Sequence, residues 1–273
     1  MSGWQTTAAP AKLNLALVVG PVRDGGKHEV VTVMERLSLA DTVAVRRAEA
    51  TRVTGFEEDT LVRAALDAVA HAAGGPPLFE ARIEKRIPAA AGLGGGSSDA
   101  AAALRLANGL LDDRLRDGVL HGIAAGLGAD VPFFLRPGPQ LATGDGTTLE
   151  ATTLPRDYSV VLALPHDAVK ASTADVYAAF DGRHGEVGFD ERRAELLDAL
   201  DGCSSVEDLA RLPPNDLASS PLAARLRELG AIRADVTGAG PVVYGLFTDA
   251  VVAADAVAGI GDRPQTWIAR PAS

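Results

Sequence analysis

A single cysteine, Cys203, among 273 residues excludes an internal disulfide and a cysteine-based metal cluster. Its neighbours Asp201, Gly202, Ser204 and Ser205 include no base that would activate a thiol, so Cys203 reads as structural. No run reaches the roughly 18 consecutive apolar residues of a membrane helix, and Met1 to Pro10 lacks the basic and apolar regions of a secretory leader. The expectation is a cytoplasmic protein with no membrane partner. Basic residues are also short, 26 against 36 acidic ones, for a formal net charge of -10. A nucleic-acid partner is therefore not expected, because it would need clustered Lys and Arg to replace condensed counterions. A small polyanion remains compatible, given local positive groups.

Lysine is scarcer still. Lys12, Lys27, Lys85 and Lys170 are the only four, leaving 22 arginines. A compact, flexible ammonium does what a planar guanidinium cannot, so lysines kept in an arginine-biased chain are candidates for specific work.

What is present is core-forming material, 47% hydrophobic residues, enough for two domains. Alternation predicts strands with one buried face over Lys12 to Val19 and Leu78 to Ile87. Val62, Leu66 and Val69 recur at helical spacing before the stop Gly74-Gly75-Pro76. Helices are expected over Asp99 to Leu110 and Leu115 to Leu127, the second ended by Gly128. The second half reads strand (Ser159–Leu164), helix (Ala174–Phe180), further helices (Glu191–Leu200, Pro221–Leu229), strand near Asp235, strand Val242–Phe247, helix Ala250–Ala258 and strand Thr266–Ala269. Ser172 with Asp175 has the spacing of a capping box. Stripped of inserted helices, that order is the β-α-β-β-α-β of a ferredoxin-like unit. With Pro155-Arg156-Asp157 as the boundary, the expected division is residues 1–155 and 156–273, both α+β.

The segment Pro88 to Ala103, PAAAGLGGGSSDAAAA, runs from a strand exit through a glycine turn and two hydroxyls into a helix. Glycines let backbone N–H groups approach an anion without Cβ interference, and the orphan amides of a helix start favour negative charge. Ser97 and Ser98 add donors, and either could cap the helix. The spacing of Gly92, Gly94 and Ser97 is not GxGxxG, and Pro21 stands where a Walker loop before Lys27 would need glycine. Taken alone, the loop is an anion site or merely a tight connection.

It has companions. Pro10-Ala11-Lys12-Leu13-Asn14-Leu15, the GLGGGSSDAA loop and Val236-Thr237-Gly238-Ala239-Gly240 together resemble the three motifs of the GHMP kinase superfamily. Leu127-Gly128-Ala129-Asp130-Val131-Pro132-Phe133 and Ser172-Thr173-Ala174-Asp175-Val176-Tyr177 narrow the resemblance to the 4-diphosphocytidyl-2-C-methyl-D-erythritol kinases. It spans essentially the whole chain. It implies a two-domain GHMP fold, with an N-terminal ribosomal-protein-S5-domain-2-like domain and a C-terminal ferredoxin-like domain with inserted helices. It also implies ATP and Mg2+, a cytidine-diphosphate-linked polyol phosphorylated on its 2-hydroxyl in non-mevalonate isoprenoid synthesis, and a monomer or homodimer. Residue by residue, Asp130 matches the catalytic carboxylate and Lys12 the ammonium beside it. Pro88, Ala90, Gly92, Leu93, Gly94, Gly95, Gly96, Ser97 and Ser98 match the ATP loop. Asn14, Lys27, His28, Asp130, Thr173 and Tyr177 match substrate contacts, and Thr237, Gly238 and Gly240 the glycine motif of the second domain. No metal ligand is assigned, since magnesium in such sites is held largely by phosphates and water.

An aspartate within hydrogen-bond reach accepts the hydroxyl proton, and an ammonium keeps that carboxylate ionised while steadying the transferred charge. The plainer readings are a loop-capping carboxylate for Asp130, a solvated strand charge for Lys12, an edge amide for Asn14, a surface ring for His28 and interface packing for Tyr177. Lys85 and Arg86 stand between nucleotide contacts and a solvated strand end. The family pattern is broken twice. Lys27 replaces the tyrosine that stacks on cytosine, and Thr60 an asparagine that contacts adenine. A GHMP kinase for another small alcohol or sugar, and a non-catalytic nucleotide-binding relative, are the alternatives.

Overall fold

In the computed structural model, which describes residues 3–56, 61–75, 78–166, 172–261 and 264–272, two long strands come first, β1 (Gln5–Val22) and β2 (His28–Ala48). There follow β3 (Arg52–Thr54), α1 (Leu61–Ala72), β4 (Leu78–Glu84), α2 (Gly95–Gly109), α3 (Asp117–Leu127), α4 (Val131–Leu135), β5 (Gln140–Thr143) and β6 (Thr148–Ala151). The second half runs β7 (Ser159–Pro165), α5 (Thr173–Gly182), α6 (Phe189–Asp201), a 3-10 turn (Glu207–Arg211), α7 (Pro221–Glu228), β8 (Arg233–Val236), β9 (Val243–Phe247), α8 (Ala250–Ile260) and β10 (Pro264–Ala269). Two units form: Met1–Ala11, Leu39–Ala89 and Gly94–Pro137 in one, Lys12–Ser38, Ala90–Leu93 and Gly138–Ser273 in the other.

In the first unit, β4 pairs antiparallel with Thr42 to Ala48 of β2 and parallel with β3. The expected alternation holds on β4: Phe79, Ala81 and Ile83 are buried while Arg82 and Glu84 face water. Helix α1 buries Val62, Ala65, Leu66 and Val69, a 3-4-7 stripe. It packs on α2, whose buried Ala100 to Ala103 are small enough for close helix contact.

In the second unit, β5 pairs with Thr32 to Met34 of β2 and turns back as β6. Its other sheet has the order β10-β7-β9-β8, antiparallel throughout. That is the ferredoxin-like arrangement, with α5, α6 and α7 in the first crossover and α8 in the second. Val161, Leu226, Val243, Phe247 and Ala253 form its core. At α5, Ser172 and Asp175 close the expected capping box.

Two expectations change. Strand β1 is buried on both faces from Ala11 to Gly20, where alternation predicted one. Strand β2 has no expected counterpart, because Val30 to Leu37 is a continuously buried run and carries no period-2 signal. Pro76, Thr60 and Lys170 lie outside the described residues. Among the described residues no helix is long and apolar enough to cross a membrane, and no group of three or more His, Cys, Asp or Glu is placed to hold a metal.

Strand β2 also carries Glu35 into the second unit at 0% exposure. Its Oε1 accepts from Arg36 N at 3.0 Å and Arg156 Nη2 at 3.3 Å, while Oε2 finds no partner among the described residues. Burial pushes this carboxyl up to about 7, against the pull of Arg156 and Arg36. The unfolded chain releases the proton near the ordinary value of 4.5 and the folded chain keeps it to about 7. Stability fully present below 4.5 is therefore lost as pH rises through that window. In Glu35→Gln this loss disappears: urea titrations at pH 4.5 and 8 should show a gain over wild type, at the higher pH, on the order of 3 kcal/mol.

Candidate active site

Lys12 and Asn14 are two residues apart on β1 and so share a face. They are 4% and 5% exposed, and a buried ammonium needs acceptors. Lys12 Nζ donates to Asn14 Oδ1. Asn14 is held in that orientation because its Nδ2 donates to Thr32 Oγ1 at 2.8 Å, which donates onward to Ala16 O at 2.7 Å. Its backbone N–H donates to Thr237 Oγ1 at 3.0 Å, and Lys12 N to Leu93 O at 2.8 Å. Lys12 is thus no solvated strand charge, nor Asn14 an edge amide.

The two glycine segments of this unit meet beside that pair. Gly92 has φ +80, and a Cβ on it would lie 2.4 Å from Thr237 O and 3.1 Å from Gly240 O. Gly238, at φ +58, would bring a Cβ to 3.3 Å from both Gly92 O and Lys12 Nζ. Val242 N donates to Ala91 O at 3.3 Å, tying loop to turn.

In the other unit, Gly94 takes a left-handed conformation as the N-cap of α2 and offers no side chain to the first amides. The helix begins at Gly95, four residues before the expected Asp99, and Ser97 and Ser98 lie inside its first turn rather than capping it. Ser98 N bonds Gly94 O at 2.9 Å. Its hydroxyl, in a residue 1% exposed, has no partner among the described residues. Pro88 precedes the loop. Behind it, Lys85 Nζ donates to Asp41 and, at 2.7 Å, to Asp99. Asp41 also accepts from Arg86 N and, at 2.8 Å, Ile87 N. Burial disfavours the Lys85 charge, yet the two buried carboxylates outweigh it and raise its pKa. Arg86 is exposed and pairs with Glu84 at 2.9 Å. Asp130 precedes α4 with backbone φ -82 and makes no capping bond to it, while Val131, Pro132, Phe133 and Phe134 are buried behind it.

A third group belongs to the second unit. The His28 and Tyr177 rings stack with centroids 4.9 Å apart and 28° between planes, and Phe180 meets His28 edge-on at 5.7 Å. His28 Nδ1 is 2.8 Å from Gly20 O, and Nε2 is 3.3 Å from Asp181. His28 is no surface ring. Lys27 Nζ bonds Asp145 at 2.9 Å; the Thr147 hydroxyl and Lys27 together hold Asp145 down at about 2. Thr173 sits exposed in the first turn of α5.

Residues 60–138 match the model of the GHMP kinases N terminal domain. A 4-diphosphocytidyl-2-C-methyl-D-erythritol kinase of Anaeromyxobacter sp. (strain K) is 39% identical over 94% of this chain and 85% of its own length. One from Rhodococcus jostii is 38% identical over 89% and 83%. A crystal structure of 4-(cytidine 5'-diphospho)-2C-methyl-D-erythritol kinase superposes with a TM-score of 0.79 at 30% identity, covering 98% of this chain and all of that one. The chain belongs to the 4-diphosphocytidyl-2-C-methyl-D-erythritol kinase family.

Three partners of the family's motif residues escaped the sequence reading. Thr32 lies on β2, Asp41 on the same strand and Asp99 inside an alanine-rich helix. All are buried polar residues in apolar runs, which is the available signal: a hydroxyl or carboxylate in such a run must be there to pair. Gly92→Ala places a methyl group on the Thr237 carbonyl in a conformation that disfavours side chains. It should cost about 3 kcal/mol of unfolding free energy, measured by urea denaturation.

Proposed function

We propose that this chain transfers the γ-phosphoryl group of ATP to the 2-hydroxyl of 4-diphosphocytidyl-2-C-methyl-D-erythritol. The observation that carries the reading is the start of α2: a first turn whose cap has no side chain, with the buried Ser98 hydroxyl left without a partner among the described residues. Orphan amides and a spare hydroxyl at a helix start are donors awaiting an anion. A triphosphate satisfies them. The loop Pro88, Ala90, Gly92, Leu93, Gly94, Gly95, Gly96, Ser97 and Ser98 is assigned to ATP. Magnesium, when bound, neutralises phosphate charge.

Asp130 is assigned the acceptor of the hydroxyl proton and Lys12 the charge that steadies the transferred group. Asn14, Lys27, His28, Thr173 and Tyr177 are assigned to the acceptor, and Thr237, Gly238 and Gly240 to the turn that walls Lys12. The proposed domains are residues 1–155, carrying the ATP loop, and 156–273, the ferredoxin-like part. The reading places the reaction in the cytoplasm, where ATP is supplied, and the net charge of -10 supports the absence of a nucleic-acid partner.

One observation favours a second reading, a kinase of this superfamily acting on another small alcohol. Lys27 is drawn to Asp145 and offers no stacking face at the position where the family carries tyrosine.

Purified protein with Mg-ATP should release ADP and the 2-phosphate in equal amounts. Asp130→Asn should lower kcat at least 100-fold with KM for ATP changed less than threefold. A protein that leaves this acceptor untouched while phosphorylating another alcohol decides for the second reading. If the base site is as assigned, Lys27→Tyr should lower KM for the cytidylyl acceptor about fivefold or more, from the roughly 1 to 3 kcal/mol of base stacking.

A further inference from the structure

We infer that Asn215, which belongs to none of the motifs, is a positioning residue for the Lys12 ammonium. It lies in Pro213-Pro214-Asn215-Asp216, between the 3-10 turn and α7. This segment runs beside β1: Asn215 bridges Leu17, Asp216 N donates to Leu17 O at 2.9 Å, and Val19 N to Asp216 Oδ2 at 2.8 Å. From there the Asn215 side chain reaches the glycine turn. Its Nδ2 donates to Val236 O at 2.9 Å and Gly238 O at 2.7 Å, while its Oδ1 accepts from Leu217 N at 2.8 Å.

Those two carbonyls flank Thr237, whose hydroxyl accepts from Asn14 N at 3.0 Å. Gly238 itself lies against the reactive pair: a Cβ there would stand 3.3 Å from Lys12 Nζ and 3.4 Å from Asn14 Oδ1. One amide nitrogen thus fixes both sides of the turn that forms the wall behind the ammonium. The geometry needs two donors on a single atom, with an acceptor on the same carbon. Aspartate has no donor, serine has one, and glutamine places its amide one carbon too far.

The segment is held rigidly enough to act as such a strut. The buried Arg233 donates to Leu212 O and, at 2.7 Å, to Pro213 O. It also donates to Tyr244 Oη at 2.9 Å, which donates to Leu15 O at 3.0 Å. The clamp and the strand bearing Lys12 therefore share one buried network. Displacements below 1 Å in a charge-stabilising group are enough to lose much of its rate effect.

This inference rests on the assignment of Lys12 to phosphoryl transfer, and the experiment separates the two. Asn215→Asp keeps the shape and removes both donors; Asn215→Ala removes the side chain. Each is compared with Lys12→Ala and with the double variant Lys12→Ala/Asn215→Asp, by kcat and KM for ATP, with melting temperature to establish folding. The expected result is a kcat 10- to 100-fold lower in folded Asn215→Asp with KM for ATP within threefold. In the Lys12→Ala background the same change should cost less than threefold. A folded Asn215→Asp with wild-type kcat, or an undiminished effect without Lys12, overturns the inference. If neither Asn215 variant folds, Asn215 is a scaffold residue and the inference is equally overturned. A wild-type kcat in Lys12→Ala instead removes the assignment of Lys12, whatever Asn215 does.

Discussion

Two backbone turns approach each other so closely at Gly92 and Thr237 that only hydrogen fits on the first. With 2.4 Å between the Thr237 carbonyl and the position of a Gly92 Cβ, any other residue would push the loop away from the turn. Several features of the second unit depend on that separation. The turn carries the hydroxyl that accepts from Asn14 N, and the loop carries the carbonyl that accepts from Lys12 N. Strand β1 is pinned from both sides at the residues that hold the buried ammonium. The glycines at 92 and 238 therefore serve packing as much as anion access, and a glycine-rich loop need not owe every glycine to its ligand.

The ferredoxin-like sheet was legible because each of its strands is short and punctuated: Pro155 before β7, the glycine turn between β8 and β9, and helix α8 before β10. Long-range pairing then follows from the element order, since the β-α-β-β-α-β sequence admits few sheet arrangements. Strands β1 and β2 were harder. A strand buried on both faces has no alternation, so Val30 to Leu37 carries no period, and the length of 21 residues exceeds what strand statistics suggest. Helix α2 starts earlier than expected: glycine propensity argues against helix at Gly95 and Gly96, yet the left-handed Gly94 supplies the entry. Local preference lost there to the geometry of the loop.

Lysine scarcity proved informative about pairing. Each lysine described has a committed partner: Lys12 with Asn14, Lys27 with Asp145, and Lys85 with Asp41 and Asp99. The environments differ in a way that separates their roles. Lys85 neutralises two fully buried carboxylates, so removing it strands two charges in the interior, the costly side of a buried ion pair. Lys12 is held by a neutral amide, which orients the ammonium without cancelling its charge. An ammonium oriented by an amide suits the role proposed for Lys12, whereas Lys85 is already claimed by two aspartates. In sequence, Lys85 stood open between a nucleotide contact and a solvated strand end, and only its two buried partners show that it is neither.

The acceptor side follows a different logic. His28 has both ring nitrogens engaged, one by the Gly20 carbonyl and one by Asp181, and one ring face covered by Tyr177. A base edge read by His28 must then take the place of Asp181, because the Gly20 bond is internal to the chain's own backbone geometry. Asp181 is half exposed on α5, so water readily replaces the ring nitrogen as its partner and the exchange is inexpensive. Tyr177 stays stacked on the ring. If the base site is as proposed, it reads the base through one exchangeable hydrogen bond beside a stacked ring pair, with Lys27 committed to Asp145 in the β5–β6 turn. The proposed donor site draws on backbone amides, which side-chain changes other than to proline leave in place. The acceptor site draws on side chains, and there the chain has room to differ from its relatives.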